Sequence, residues 1–585
     1  MVWREKNGWQ GPYKVINMKD HDVTIDMVNG PATFRSTVVK PYYRNPAIDV
    51  TTTGDEGAGP TIAQPRRLTR GITQATQPRK QGRPPGSKNK PKLLYLSKKE
   101  EDNYALAVKL RNDSVINIPG APFEASNQKE IDDLVGRGIF SFELFDPTVH
   151  GGYCIFKLRM VRKVKGKTMV LYEKSRLVVQ GYNDKGKHEI LTQSPTIQRS
   201  SQRLILALAP ALLKGDRINC NGMFVDLRDI TQAYPQAQTE LFRTILAHLP
   251  KELITKYPEG TIICVIKPLY GIAEAGVYWF ATYQGHHCKE LDMATLTYDP
   301  CLLITNKGPE TFGMKGQGAK IKVIDKAADR AQKYMEQRAR GAYIASICQP
   351  KASFDLSAAA QIQQPADGDY VKLNRRLKWQ AENLERGLRY VPLNLATAKL
   401  VVFTDGSFAN NQDLSSQLGY LIVLANKDAH SYPGSYLDGT FNIRGNVVYW
   451  SSTKCKRVTR SVLASKTYGM VSGVDIAIAI LTTLKMVTER LGLLPIPLIV
   501  CTDSYSLYEC LVKLGTTNEK RLMIDIMALR QSYERREIAE IRWINSNDNP
   551  ADAFTKATPN RALEQLINSN GLSIRVEGSV QQPGE

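Results

Sequence analysis

The stretch Leu400–Asn411, LVVFTDGSFANN, sets four apolar residues and a threonine ahead of Asp405-Gly406-Ser407. A short continuous apolar run bounded by turn residues reads as a buried strand. Burying an unpaired carboxylate is costly, so Asp405 is either a turn cap or one ligand of a metal site. The choice turns on partner acids at matching places. Ile496–Ser506, IPLIVCTDSYS, repeats the pattern: an apolar run, Thr502, then Asp503. In an α/β sheet, functional residues gather beyond the carboxyl ends of parallel strands, so Asp405 and Asp503 converge if these strands are neighbours. A third acid, Asp552 in NPADAFTK (549–556), follows the strand-like EIRWI at the start of a helix. There it is either a further ligand or a cap facing the helix dipole. Three such acids match a two-metal nuclease, in which ions about 4 Å apart clamp the attacking and leaving oxygens of a phosphodiester.

This order of acids resembles the ribonuclease H of copia-type retroelements. The resemblance implies Mg²⁺ held by Asp405, Asp503 and Asp552 together with a glutamate on the first helix. TRSVLASKTYGMVSG (459–473) is where that helix falls. The family reads Ala-Ser-Glu there, and this chain reads Ala464-Ser465-Lys466. Lysine puts an ammonium where a dication needs an anion, turning attraction into repulsion of order several kcal/mol before screening. A crippled ribonuclease site is the expectation.

The middle of the chain resembles copia-type reverse transcriptases. YEKSRLVVQGYND matches their fingers strand, which implies that Lys174 and Arg176 meet the incoming triphosphate. LRDITQAYPQA matches their first catalytic motif and implies that Asp229, rather than Asp226, holds the metal. VIKPLYGIAEAGVYWF matches the template-handling motif, with Leu269, Tyr270, Gly271 and Trp279 aligned. The polymerase also requires adjacent aspartates on a hairpin after YDPCLLIT. The only Asp-Asp pair is Asp132-Asp133, on an upstream amphipathic helix, and after Ile304 the chain passes through TNKGPETFGMKGQGAKIKVID to connection-like helices. The catalytic hairpin reads as deleted. Phosphoryl transfer rests on metal positioning and charge stabilisation, so the chain is expected not to extend a primer.

Working outward, VWREKNGWQGPYKV and GPATFRSTVVKPYY look like the C-terminal DNA-binding barrel of a copia-type integrase, with the catalytic core that precedes it in the family missing. Short strands separated by NGWQGP and VNGP support a small β-barrel over 1–45. Residues 46–100 read as a disordered basic linker: from Gly57 to Lys99 there is no acid, while Arg66, Arg67, Arg70, Arg79 and Lys80 accumulate among Pro, Gly, Gln and Thr. Too little apolar surface is present there to offset ordering entropy. Inside it, QGRPPGSKNKPK resembles an AT-hook, whose Arg83, Pro84, Lys88 and Lys90 can lie in a narrow A·T minor groove; a solvated charged linker is the alternative. Residues 101–310 follow as reverse-transcriptase fingers and palm, 311–395 as a helical connection, 396–560 as a ribonuclease-H-like α/β domain and 561–585 as a short polar tail with a frayed helix. The fold class is thus multidomain, α+β and α/β.

Composition agrees with this array. The chain has 585 residues, 42% apolar, with a net charge of +21 and pI ≈ 9.4, which favours a polyanionic partner. RNA, DNA and RNA–DNA hybrid are the expected partners. Nine cysteines without a CxxC pair fit a reducing compartment. His286-His287-Cys288 reads as a partly buried helix face, since adjacent residues cannot wrap one tetrahedral ion. MVWREKNGWQ lacks an apolar signal core, and the longest apolar stretch, near Ile476–Leu484, is too short to span a bilayer. No membrane partner and an intracellular location, nuclear or cytoplasmic, are therefore expected. Two functional readings stand: a reverse transcriptase/ribonuclease H fragment with impaired catalysis, or a non-catalytic nucleic-acid-binding relic.

Overall fold

A computed structural model describes residues 2–4, 8–10, 14–19, 22–27, 30–35 and 98–582, except 167–169, 213–229, 306–322, 325–329, 384–385, 428–438, 514–516 and 518. The linker with Arg83, Pro84, Lys88 and Lys90 lies outside the described residues, as does Asp229. The chain divides into two compact units, Met1–Pro91 and Lys92–Glu585.

In the first unit, β1 (Val2–Arg4) pairs with β2 (Gly8–Gln10), while β3 (Lys14–Lys19), β4 (Asp22–Met27) and β5 (Gly30–Arg35) form a separate antiparallel meander. The strands fall where alternation and turn residues place them. Among the described residues they do not close into the expected barrel, because no ladder joins the two sheets.

The second unit opens with α1 (Lys98–Asn112) and α2 (Glu124–Gly136). A four-stranded sheet follows, built from β6 (Phe140–Leu144), β7 (Ile155–Phe156), β10 (Ile245–His248) and β11 (Thr261–Val265) in the order β6-β11-β10-β7, with α3 (Pro147–His150) between β6 and β7. The basic segments flanking Gly166 form a hairpin of β8 (Leu158–Lys165) and β9 (Tyr172–Val179). Ile131, Leu134, Met160, Leu177, Ile245, Ile263 and Leu269 build one core here. Asp132 and Asp133 are exposed on the solvent face of α2.

Next come α4 (Arg199–Leu212), α5 (Ala275–Lys289), and the pair β12 (Met293–Thr295) and β13 (Leu303–Thr305). His286 is exposed on α5, and His287 and Cys288 are half-buried. The connection holds α6 (Arg330–Ile347), α7 (Ser353–Ala360) and α8 (Asp367–Glu382), packed around Tyr334, Leu356, Tyr370 and Leu377. The apolar stripe of α4, Leu204, Ile205, Ala207 and Leu208, shares a core with the C-terminal sheet, as do Leu296, Leu302 and Ile304. The stretch read as fingers and palm thus contributes to two cores.

The C-terminal sheet comprises β14 (Lys399–Ser407), β15 (Gln417–Lys427), β16 (Thr440–Lys454), β17 (Leu498–Thr502), β18 (Glu540–Ile544) and β19 (Gly571–Gln581). Its helices are α9 (Val462–Arg490), α10 (Tyr505–Val512), α11 (Leu522–Glu534) and α12 (Ala562–Ser569). β14, β15 and β16 are antiparallel neighbours, and β17 and β18 run parallel beside β14. Both faces are covered, which is why LVVF is apolar without interruption. Leu400 and Val402 face α9, α10 and α11, while Val401 and Phe403 face Phe554, α12 and β19. Each fully buried side chain of this kind is worth about 1.5–3 kcal/mol.

Two expectations need correction. The span 561–585, expected to be a short polar tail with a frayed helix, holds a packed helix, α12, and a strand, β19. Strand β19 pairs with β16 through Gly571–Arg575 and with β18 through Val576–Gln581, closing the sheet on itself. Its buried residues, Leu572 and Ile574, alternate with polar ones, so its period-2 pattern is real but short. Second, α9 is by length and composition apolar enough to cross a membrane. Its buried stripe, including Met470, Val474, Ala477, Ile480 and Leu484, belongs to the core of the sheet.

Candidate active site at the end of β14

Strands β14 and β17 pair in register, with Thr404 opposite Thr502. Asp405 and Asp503 each stand one residue beyond that pair, so both carboxylates leave the same end of the sheet. Ser461 starts α9: its hydroxyl accepts from the Ala464 N–H at 3.1 Å, a favoured N-cap arrangement. The helix then crosses β14 almost backbone to backbone. A Cβ on Gly406 would overlap the Ser465 carbonyl, and one on Gly469 would lie 2.5 Å from the Asp405 carbonyl oxygen. A Cβ on a third glycine, Gly473, would lie 3.1 Å from side-chain carbons of Thr404 and Tyr420. This close approach commits position 466 to the end of the strand pair whatever residue occupies it.

Lys466 Nζ donates to Asp405 Oδ1, and to Asp503 Oδ1 at 2.6 Å. The three side chains are 13%, 0% and 4% exposed, respectively, so little water screens them. The other oxygen of Asp405 accepts from the Thr555 hydroxyl. Burial pushes the Asp405 carboxyl up, but the Lys466 ammonium and these donors outweigh it and hold it below the usual carboxylate range. Burial likewise pulls the Lys466 ammonium down, and the two carboxylates more than restore it, leaving it above the ordinary lysine value. Asp503 ends up raised, by burial first and then by the like charge of Asp405, which Lys466 offsets only in part.

Asp552 lies in a turn of 3₁₀ helix, Pro550–Phe554, fastened to β14 by Asn549 Nδ2 donating to the Thr404 carbonyl at 3.1 Å. Its Oδ1 pairs with Lys556, and its Oδ2 accepts from the Asn560 N–H at 2.9 Å. The structure thus brings Asp405, Asp503 and Lys466 together, while Asp552 is tied to its own lysine. Thr555 and Lys556 are the contributors that sequence reading passed over. Both sit in the quoted NPADAFTK, but a hydroxyl and an amine carry no motif of their own.

A two-ion site needs carboxylate oxygens open to cations. Here Lys466 takes one oxygen of each of two aspartates, and Thr555 takes the remaining oxygen of Asp405. Among the described residues, no three Asp, Glu, His or Cys side chains are placed to share an ion. The donor set does not fit the Mg²⁺ pair that the acids alone suggested.

Lys174 and Arg176 lie on the open face of β9, whose other face buries Glu173, Ser175, Leu177 and Val179. The Arg176 guanidinium stands 5.1 Å from the centroid of the Tyr270 ring. Val179 N–H donates to the Tyr270 carbonyl at 2.8 Å, so the LYG turn is seated on the end of β9. Gly271 adopts φ +91°, and a Cβ there would overlap the Val179 carbonyl oxygen. The structure therefore gathers Arg176, Tyr270 and Gly271, with Lys174 on the same strand face as Arg176. Gly271→Ala is expected to cost roughly 1–3 kcal/mol of local stability, read as faster amide exchange along β8 and β9 with that of β14 unchanged.

No protein-family model and no curated protein matches the chain. Solved structures similar to it include the ribonuclease H1 of the halophilic archaeon Halobacterium salinarum NRC-1, 14% identical over 28% of this chain and 98% of that one, with a TM-score of 0.19. LC11-RNase H1, solved in complex with RNA/DNA hybrid, is 16% identical over 28% of this chain and 99% of its own, at a TM-score of 0.19. The protease–reverse transcriptase of prototype foamy virus is 11% identical over 72% of this chain and 74% of its own, at 0.17. At such identities and TM-scores these likenesses carry no weight. The fold stands on strand order, register and burial.

Proposed function

We propose that this chain is a copia-type retroelement polyprotein fragment that holds nucleic acid, RNA–DNA hybrid in particular, without cleaving or extending it. One observation carries the reading: in an α/β unit whose first and fourth strands end in paired aspartates, the cation between them is a lysine of the chain itself. Binding is supported by the charge of +21 and by the basic β8–β9 hairpin, where Lys163 lies opposite Lys174 and Arg176 adjoins Tyr270. The integrase-like N-terminal strands, the AT-hook-like segment and the ancestral polymerase role of Asp229 belong to the same proposal. Without the second aspartate pair, primer extension is expected to be absent.

The test is fluorescence anisotropy with labelled hybrid, duplex DNA and single-stranded RNA, in chelator and in Mg²⁺. Binding is expected at low salt in both media, with log K falling linearly against log[salt] as phosphate contacts release counterions. The hybrid is expected to stay intact after long incubation. Absence of binding at low salt, or Mg²⁺-dependent hybrid cleavage by the unaltered protein, would overturn the reading.

A further inference from the structure

We propose that Lys466 is a resident counter-cation for the end of the sheet, holding Asp405 and Asp503 without any divalent ion, and that its charge alone decides whether this position takes a metal. The inference rests on the ribonuclease-H-like reading of the unit, but not on nucleic-acid binding.

The geometry is specific. Gly406 and Gly469 press α9 against β14, so the side chain at 466 must enter between the two carboxylates. Its ammonium contacts both Asp405 and Asp503, bridging strands β14 and β17 as a bound cation would. Two buried carboxylates that close repel each other and resist desolvation, and one centred positive charge relieves both costs. Beside them Lys556 pairs with Asp552, and its charge also acts on Asp405 and Asp503. A divalent ion approaching the unaltered site meets oxygens already engaged by an ammonium and a hydroxyl. Glutamate at 466 would replace that cation by a third carboxylate at the same committed position. The cluster would then need an external cation to stay folded.

The experiment compares the full-length protein with Lys466→Glu and Lys466→Gln, by thermal unfolding in chelator and in excess Mg²⁺ or Mn²⁺, and by counting bound Mn²⁺ with electron paramagnetic resonance. The unaltered protein is expected to unfold at the same temperature in all media and to retain no Mn²⁺ at this position. Lys466→Glu is expected to unfold earlier in chelator and to gain roughly 5–10 °C at saturating metal, the size a ligand in hundredfold excess over its Kd produces. It should also bind at least one Mn²⁺ that Asp405→Asn then abolishes. Lys466→Gln keeps the two acids and serves if Lys466→Glu does not fold even with metal: it must show a smaller shift of the same sign. A metal-dependent shift in the unaltered protein that Asp405→Asn removes overturns the proposal, as does the absence of any shift in whichever variant folds. Hybrid anisotropy in chelator is a separate readout, so loss of nucleic-acid binding would count against the proposed function and leave the metal result standing.

Discussion

Replacing Lys466 by methionine is expected to lower the unfolding free energy by about 3–5 kcal/mol, the cost of removing one partner from a buried ion cluster. The methionine keeps the length and most of the volume, so the loss reports the stranded charges of Asp405 and Asp503 rather than a cavity. The pH dependence follows from the shifts. Lys466 is held above its ordinary value, so its contribution is complete below the unfolded lysine pKa of about 10.4 and is lost as pH rises through the folded value. Asp405 is held below its ordinary value, so its contribution is complete above about 3.9 and is lost as pH falls through the folded value. Asp503 is raised and works in the opposite sense, favouring the folded state below about 3.9 and losing that contribution as pH rises through its folded value. The difference between Lys466→Met and the parent is therefore expected to be widest at neutral pH and to shrink towards both ends. Denaturant titrations across pH, read by amide exchange of β14 and β17, would check it. Adding Asp405→Asn and Asp503→Asn to Lys466→Met should recover most of the loss. A triple variant as unstable as the single one would show that packing, not charge, is responsible.

The second large effect belongs to the C-terminal strand. Ile574 is fully buried against Phe441, Ile443, Leu563 and Leu566, and Ile574→Ala is expected to cost about 2–5 kcal/mol. Ser573, its exposed neighbour on the opposite face, serves as the control, with Ser573→Ala expected within about 0.5 kcal/mol. Truncation after Asn570 should be worse than either. It removes Leu572 and Ile574 together and leaves β16 and β18 without the ladder that joins them. Exposed edges of this kind invite pairing with other chains, so the truncated protein is expected to aggregate as it unfolds. A cooperative, monomeric truncation with unchanged stability would mean that β19 does not close the sheet in solution.

A second burial has consequences for how the parts hold together. Arg203 of α4 lies with its guanidinium carbon 3.6 Å from the centroid of the Trp450 ring, donating to the carbonyls of Val448 and Ser346. Burial pushes its pKa down to about 10. The stretch read as reverse transcriptase is thereby joined to the C-terminal sheet by a cation resting on an indole face and carbonyl dipoles. A sequence pattern does not reveal this, because an arginine inside an apolar helix reads equally well as a solvent-facing residue.

Several features were legible in the residues themselves because they are local. LVVF before Asp405 and LIVC before Thr502-Asp503 announce buried strands that end in acids, since an uninterrupted apolar run satisfies a sheet covered on both sides. Lys466 stands out only against the copia-type motif that its stretch resembles, which has a glutamate there, and the Ser461 cap of α9 emerges from the structure. The Asp132-Asp133 face of α2 is likewise visible in the amphipathic period of its helix. Tertiary structure decided what depends on non-local contact. Only the in-register pairing of β14 with β17 puts the two aspartates side by side, and only the glycine-lined approach of α9 drives Lys466 onto both. Docking to the edges of β16 and β18 makes a strand of residues that look like a polar tail, because backbone pairing leaves little trace in composition. The sheet likewise takes α4 and β12–β13 into its core, since apolar stripes state that they need covering but not which surface covers them.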